Sequence, residues 1–148
     1  MDGSARAGER LEFRMVTHVT WAQSQEVGDV RGHIATLSRF AGLAFFADGT
    51  VCPVQFVSQT DYINGAGGFT LYPILAFDDG SELCLKSDGT GTVEGARTKF
   101  VGTLSVVGGK GRFDGVSGDG TLTGTRYTPL DVGADLVSEY VVNIRTPS

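Results

Sequence analysis

The sequence predicts an all-β fold, most simply an eight-stranded antiparallel up-and-down β-barrel. Apolar and polar residues alternate with period two in several segments, whereas no segment has the i, i+3, i+4, i+7 apolar spacing of an amphipathic helix. Glycine is abundant, with 22 residues among 148, and Asp-Gly pairs mark places where a chain can reverse direction. Closing eight strands removes both sheet edges and leaves an interior for side chains or one small ligand. An open sandwich is the alternative architecture.

The predicted strands follow one another along the chain as a meander. They cover approximately residues 10–22, 30–47, 50–63, 68–78, 81–87, 91–107, 118–127 and 135–145. The first strand shows the clearest alternation, with Phe13, Met15 and Val19 on one side. Type I′ hairpin turns, which need two residues with positive φ, are expected at Asp-Gly pairs. These pairs are Asp48-Gly49, Asp79-Gly80, Asp88-Gly89 and Asp119-Gly120.

The length of the chain corresponds to about one domain. We expect residues 1–9 to form a disordered polar tail and residues 10–148 to form the barrel. The net charge of −5 provides no field that would attract nucleic acid. The sequence contains no run of about 18 apolar residues, so we expect no membrane insertion. The first residues lack the apolar segment of a signal peptide. We therefore expect a cytoplasmic protein in which Cys52 and Cys84 are reduced thiols.

No motif of the sequence predicts a metal, a phosphate or a catalytic nucleophile. The glycine run at residues 108–111 is not followed by the helix pattern that a nucleotide-binding loop requires. His18 and His33, the only histidines, would face each other across a hairpin that turns at residues 25–26. They would then lie on the outer face, so we interpret them as two exposed histidines. No metal and no cofactor are therefore expected.

The register of the third strand decides which of its side chains line the interior. A two-residue turn at Asp48-Gly49 would set Phe46 against Val51, whereas a bulge within residues 39–42 would shift the row by one residue and turn it over. Both rows of the third strand therefore stay open. One row is Val51, Pro53, Gln55, Val57, Gln59 and Asp61, and the other is Cys52, Val54, Phe56, Ser58, Thr60 and Tyr62.

One segment of the chain resembles a known protein family. Residues 104–118, which read LSVVGGKGRFDGVSG, resemble the GGTGRFxGAxG signature of allene oxide cyclases and dirigent proteins. Residues 42–49 and 77–81 are similar to segments of the bacterial allene-oxide-cyclase-like barrels. The glycines of the signature allow a tight connection with positive φ. In such a connection Phe113 is expected to tuck under the barrel end, and Arg112 to find a carboxylate or carbonyl partner.

The resemblance implies a calycin-like antiparallel barrel, a homodimer or homotrimer, and an apolar cavity that shapes reactive substrates without a cofactor. We therefore hypothesise a cofactor-free cyclase or isomerase, similar to allene oxide cyclase or to polyketide 4+2 cyclases. Its substrate would be a hydrophobic molecule derived from a fatty acid or a polyketide. Holding such a chain in a reactive shape lowers a cyclisation barrier. The alternatives are a non-catalytic, lipocalin-like binding protein and a barrel filled by its own side chains.

Candidate site residues come from both possible rows and from neighbouring strands. A small-molecule site needs apolar walls and a few polar groups that orient the ligand. The predicted ligand-binding residues are Trp21, Phe40, Phe45, Gln55, Phe56, Tyr72 and Phe77. The predicted catalytic residues are Gln59, Tyr62 and Glu94. Further polar candidates are Asp61, Cys84, Lys86 and Tyr140.

Overall fold

A computed structural model, which describes residues 8–147, confirms the predicted all-β fold class. Eight antiparallel strands form a closed barrel in which each strand pairs with the next and the last pairs with the first. The strands are β1 Glu9–Glu26, β2 His33–Phe46, β3 Val51–Ile63, β4 Ala66–Ala76, β5 Glu82–Glu94, β6 Arg97–Lys110, β7 Ser117–Arg126 and β8 Leu136–Arg145. Within the described residues, no helix has the length and apolarity that a membrane crossing needs.

The loops fall into two groups because neighbouring strands are antiparallel. The upper end of the barrel carries the loops at 27–32, 64–65, 95–96 and 127–135. The lower end carries those at 47–50, 77–81 and 111–116. Residues 1–7 of the predicted tail lie outside the described residues, and β1 begins one residue before the predicted start of the barrel.

A β-bulge in β1 reverses the direction of its upper side chains. Val19 pairs with Phe40 in β2, but Trp21 pairs with Arg39, so that Thr20 is the extra residue. Below the bulge, the odd-numbered residues of β1 point into the barrel, and above it they point outward. Trp21 is consequently 49% exposed, although it continues the apolar row of the strand in the sequence.

The strand β2 runs against β3 in unbroken register from His33 to Phe45. Of the two registers that the sequence left open, the one with a bulge within residues 39–42 is therefore not formed, and the irregularity lies in β1 instead. The loop between β2 and β3 is also different from the predicted one. The Phe46 N–H donates to the Thr50 carbonyl at 2.8 Å, and Gly49 has a φ of +92°. This is a three-residue loop rather than a two-residue type I′ turn.

The longer loop selects one of the two rows that the sequence left open. Ala44 pairs with Cys52 and Phe45 pairs with Val51, one residue away from the predicted register. Because the side-chain period of a strand is two, this shift exchanges the faces of β3. The inward row is Cys52, Val54, Phe56, Ser58, Thr60 and Tyr62.

Two of the predicted Asp-Gly turns lie inside strands. Asp88-Gly89 is in the middle of β5 and Asp119-Gly120 is within β7. In both pairs the glycine lies on the inward row, where a side chain would meet neighbouring groups: a Cβ on Gly89 would come within 2.6 Å of the Phe69 ring. The chain turns instead after β5 has extended to Glu94, so the predicted boundaries of the fifth and sixth strands are wrong.

Aromatic side chains fill the lower half of the barrel. The rings of Tyr140, Phe13, Phe46, Phe77 and Phe113 follow one another with centroid separations of 5.1, 4.8, 5.6 and 5.2 Å. Aliphatic residues pack around this series and are almost completely buried. They are Met15, Leu75, Leu83, Leu85, Val142 and Ile144. We call this part of the interior the filled half.

The glycine-rich segment between β6 and β7 closes the lower end, as predicted. Phe113 is 3% exposed and packs against Phe77 beneath the filled half. The Arg112 guanidinium lies 2.6 Å from the Asp79 carboxylate and 4.5 Å from the Phe77 ring centre. The Arg112 backbone N–H also donates to the Ser81 hydroxyl at 3.1 Å. The segment therefore holds the end of the barrel, which is a structural role.

The two cysteines are free, and both lie in strands of the barrel. Cys52 is buried and Cys84 is half-buried. Burial raises the pKa of the Cys52 thiol to about 11 and also raises the pKa of Cys84. Both thiols are therefore protonated near neutral pH, and neither has the lowered pKa of a nucleophilic cysteine.

Candidate ligand-binding site

A cavity of about 100 Å³ occupies the upper half of the barrel, which we call the open half. It is lined by Thr36, Ser38, Phe40, Phe56, Ser58, Thr60, Tyr62, Phe69, Leu71, Phe100, Leu122, Gly124, Arg126, Leu130, Leu136 and Ser138. An engineered apolar cavity of similar order holds one benzene ring. The open half therefore has space for a ring-sized group, and a larger guest would extend through the upper end.

Two aromatic pairs form much of the apolar wall. Phe40 and Phe56 lie parallel at 4.7 Å between ring centres, and Phe69 meets Phe100 edge to face at 5.6 Å. Gly91 leaves the space that the neighbouring rings use, because a Cβ at this position would lie 3.1 Å from the Phe100 ring. The wall is therefore rigid and planar on one side, as a site for an unsaturated or aromatic group requires.

Five serine and threonine hydroxyl groups on β2, β3 and β8 line the cavity. They belong to Thr36, Ser38, Ser58, Thr60 and Ser138, and we call them the hydroxyl belt. Ser38 lies directly opposite Ser58, and Thr36 lies opposite Thr60, on the paired strands β2 and β3. A hydroxyl both donates and accepts hydrogen bonds and can rotate to suit its partner. The belt can therefore bind a carbonyl, hydroxyl or ether oxygen of a guest.

The Tyr62 hydroxyl is buried in the wall of the cavity. Among the described residues it has no hydrogen-bond partner. Burial raises the pKa of Tyr62 to about 12, and the nearby Arg126 charge only partly opposes this effect. The phenol is therefore protonated at neutral pH. It is available as a hydrogen-bond donor to a ligand, since a buried donor without a partner is costly.

Among the described residues that line the cavity, Arg126 is the only one with a charged side chain. It is the last residue of β7, and its guanidinium Nη2 donates to the Thr98 hydroxyl at 3.3 Å. Within residues 8–147 it forms no ion pair. The sequence analysis missed this residue, although its inward direction follows from Leu122 and Gly124, which precede it by four and two positions on the same row.

Four of the predicted ligand-binding or catalytic residues are inside the barrel. Phe40, Phe56 and Tyr62 line the cavity. Phe77 is buried in the filled half, where it contacts Phe46 and Phe113 instead of the cavity.

The other six predicted residues lie outside the barrel, so their placement is corrected. They are Trp21, Phe45, Gln55, Gln59, Tyr72 and Glu94. Trp21 follows the bulge, and Phe45 is five residues from the inward-facing Phe40 in an unbroken strand. Gln55 and Gln59 belong to the outward row of β3. Tyr72 alternates with inward-facing neighbours, and Glu94 ends β5 beside an outer groove. None of the six contacts the cavity described above.

The two histidines are not opposite each other. His18 pairs with Ala41 and is exposed, whereas His33 binds two carboxylates at the upper end. Its Nδ1 lies 2.7 Å from Asp29, and its Nε2 lies 2.5 Å from Asp61. Both ring nitrogens donate only in the protonated form. The interaction joins loop 27–32 to β3, so the interpretation of His33 as a free exposed histidine is wrong.

This interaction predicts a pH dependence of stability. The Asp61 and Asp29 hydrogen bonds raise the pKa of His33, and the Val30 N–H and His33 hydrogen bonds lower the pKa of Asp29. The His33 contribution is complete below its unfolded pKa of about 6.5 and disappears as pH rises through the higher folded value. We expect the free energy of unfolding to fall as pH rises from about 6.5 through the higher folded pKa of His33.

Urea denaturation of three proteins measures this dependence. The decrease should be smaller in His33→Gln and unchanged in His18→Gln, which removes an exposed histidine. An equal decrease in the wild type and in His33→Gln would contradict the role of His33.

The geometry can be compared with known proteins. No protein-family model and no curated protein sequence matches this chain. Its structure is similar to the solved structure of a pterocarpan synthase dirigent protein, with a TM-score of 0.58 over 95% of this chain and 90% of that one. The chain shares the closed eight-stranded barrel fold of that protein. The sequence identity is 15%, so the likeness concerns the fold alone.

Proposed function

We propose that this dirigent-type barrel binds a hydrophobic small molecule in its open half and holds it in one shape. The observation that carries the proposal is a cavity with apolar walls and a few hydroxyl groups inside an otherwise filled barrel. This is the composition of small-molecule sites in general. The guest would be a fatty-acid- or polyketide-derived molecule, of which a ring-sized part enters the cavity.

The proposed reaction is a cofactor-free cyclisation or isomerisation of this guest. The stacked pair Phe40 and Phe56 restricts the shapes that an unsaturated chain can take, and restriction to a reactive shape lowers the barrier. The hydroxyl belt and the protonated Tyr62 supply hydrogen bonds to an oxygen that gains negative charge in the transition state. Of the predicted catalytic residues, Tyr62 keeps this role in the proposal, whereas Gln59 and Glu94 do not.

A second candidate is a carrier that binds the guest without changing it. The chemistry of the cavity lining favours this alternative. Among the described residues that line the cavity, none is Asp, Glu, His, Lys or Cys, the side chains most used as acids, bases or nucleophiles. Catalysis here would depend on shape and hydrogen bonding, and a carrier would need only the binding. Both candidates share the same site and the same first test.

Filling the cavity should abolish ligand binding. Toluene is a suitable probe because it is neutral and of ring size, and its binding can be followed by NMR shifts of the lining residues. We expect saturable binding to the wild type and at least about tenfold weaker binding to Ser58→Phe, whose new ring would occupy the cavity. Gln59→Phe is the matched control, since residue 59 is exposed on the opposite face of the same strand.

Two outcomes would contradict the proposed function. One is the absence of saturable toluene binding to the folded wild type. The other is equal affinity of the wild type and Ser58→Phe, which would place the probe elsewhere. Far-UV circular dichroism and thermal unfolding of both variants establish that a loss of binding does not reflect a loss of the fold.

The homodimer or homotrimer and the cytoplasmic location remain predictions. For the oligomer, the outer face of β1, β2 and β3 offers an apolar surface. Its lower part includes Val16, Leu43, Phe45 and Val51, each about 40% exposed or more. We propose that a second copy of the chain covers this surface, since exposed apolar patches of soluble proteins commonly mark interaction sites.

A further inference from the structure

The charge of Arg126 is unusual for the cavity that it lines. The cavity wall is mostly apolar, and among its described residues none is acidic. The protein as a whole carries a net charge of −5, so acidic side chains are abundant elsewhere. A cation that leaves bulk water is costly unless an opposite charge or several acceptors compensate it. Arg126 therefore has a charge that the described part of the protein does not neutralise.

Among the described residues, the hydrogen bonds of Arg126 leave most of its donors without a partner. Of the five N–H groups of a guanidinium, one is directed at the Thr98 hydroxyl at 3.3 Å, a long contact with a neutral acceptor. That contact fixes one edge of the group against β6. The remaining donors form a planar fork, and a planar fork matches the two oxygens of a carboxylate better than any single neutral acceptor.

The Tyr62 hydroxyl supplies a second donor near the first. It lies over Gly91, where a Cβ would come within 3.0 Å of its oxygen and 3.1 Å of the Phe100 ring. Phe100 is two residues from Thr98, the partner of Arg126, on the same inward row of β6. The two donors thus converge on one part of the upper wall. The Tyr62 oxygen has no partner among the described residues.

These observations select one class of ligand for the site. We infer that the guest is a carboxylic acid whose carboxylate is bound by Arg126 and Tyr62. Its apolar part, about one ring in size, lies against Phe40 and Phe56 in the cavity. The inference rests on the proposed binding function and adds the chemical class of the ligand. It also explains why a cation and an unpartnered hydroxyl are kept beside apolar walls.

A matched pair of probes tests this inference. 3-Phenylpropanoate and 3-phenylpropan-1-ol have the same ring and chain, and only the first carries a carboxylate. We expect isothermal titration calorimetry at pH 7.5 to show at least about tenfold tighter binding of the acid, since a hydrogen bond to a charged group contributes more than a neutral one. The acid should also bind more weakly as salt is raised, whereas the alcohol should not.

Three variants assign the preference to the two residues. Arg126→Gln should bind the acid no more tightly than it binds the alcohol, and its acid binding should no longer depend on salt. Tyr62→Phe should weaken binding of the acid by about fivefold or more, as expected for loss of one charge-assisted hydrogen bond. Arg145→Gln is the control, because it removes one exposed positive charge that pairs with Asp119 at the lower end.

The outcomes separate this inference from the proposed function. If the wild type binds both probes equally, the carboxylate inference is overturned and the binding function stands. If the acid preference survives Arg126→Gln, the assignment to Arg126 is overturned. If neither probe binds but toluene does, the carboxylate inference is overturned and the binding function stands. If toluene does not bind either, the proposed function fails and this inference fails with it. The comparison of probes and the salt dependence are measured on the wild type, so they decide the ligand class even if a variant does not fold.

Discussion

Gly120→Ala is expected to lower the free energy of unfolding by more than about 3 kcal/mol. A Cβ at this position would overlap the Val141 carbonyl oxygen and lie 3.1 Å from the Val142 Cα. These are backbone atoms of the paired strand β8 and cannot rotate away. The strands would have to separate in the middle of their ladder. Guanidinium unfolding followed by circular dichroism measures the loss.

Gly124→Ala is the matched control for this prediction. Gly124 lies on the same inward row of β7, four residues further along, and its nearest contacts would be 3.2 Å and 3.3 Å. Those distances require only small adjustments of the neighbouring groups, so we expect a much smaller loss, about 1 kcal/mol or less. Similar losses in the two variants would show that the close approach of β7 and β8 at Gly120 does not limit stability.

Phe113→Ala is expected to lower the free energy of unfolding by about 3–5 kcal/mol. The ring is 3% exposed, packs 5.2 Å from the Phe77 ring centre and lies under the Arg112 guanidinium. Its removal leaves a void at the lower end of the filled half, where the surrounding rings are held by their own neighbours and cannot collapse into the space. Chemical denaturation monitored by fluorescence and circular dichroism measures this loss.

Phe100→Ala provides a comparison in the other half of the barrel. Phe100 is only partly buried and already borders the cavity, so its removal enlarges an existing space instead of creating a new one. We expect it to lose less than half as much stability as Phe113→Ala. Equal losses would contradict the division of the interior into a filled and an open half.

The fold could be predicted because its signals are local. Alternation with period two, the absence of helical spacing and a high glycine content are all present within short windows of the chain. The role of the segment around Phe113 was also predictable, from the resemblance of this segment to a family signature whose glycines allow a tight connection. The partner that Arg112 binds at the lower end of the barrel is a carboxylate, that of Asp79, one of the two partner types that the sequence analysis expected.

The inward face of each strand could not be predicted, because it depends on single-residue events. One extra residue in β1, Thr20, turns Trp21 outward, and one extra residue in the loop before β3 exchanges its two rows. Neither insertion has a clear sequence signal. Asp-Gly is ambiguous in the same way: at Asp48-Gly49 it forms a turn, and at Asp119-Gly120 it places a small residue inside a barrel.

Arg126 was missed for a different reason. A charged residue at the end of a strand is usually exposed, so its residue type does not suggest a position inside the barrel. Only its position on the same row as Leu122 and Gly124 indicates that it points inward. That row is informative once it is known which face of β7 points into the barrel. The six misplaced candidates show the opposite error. Their side-chain chemistry suited a binding site, but they lie on the outward-facing rows of their strands.

The unequal packing of the barrel interior has a consequence for the evolution and redesign of this scaffold. The densely packed aromatic and aliphatic side chains lie at one end of the barrel, away from the serines and threonines that line the cavity. Under the proposed function, exchanging Ser38, Ser58 or Ser138 for other small side chains would alter ligand recognition and leave that packing in place. One backbone could then be adapted to different molecules by a handful of substitutions.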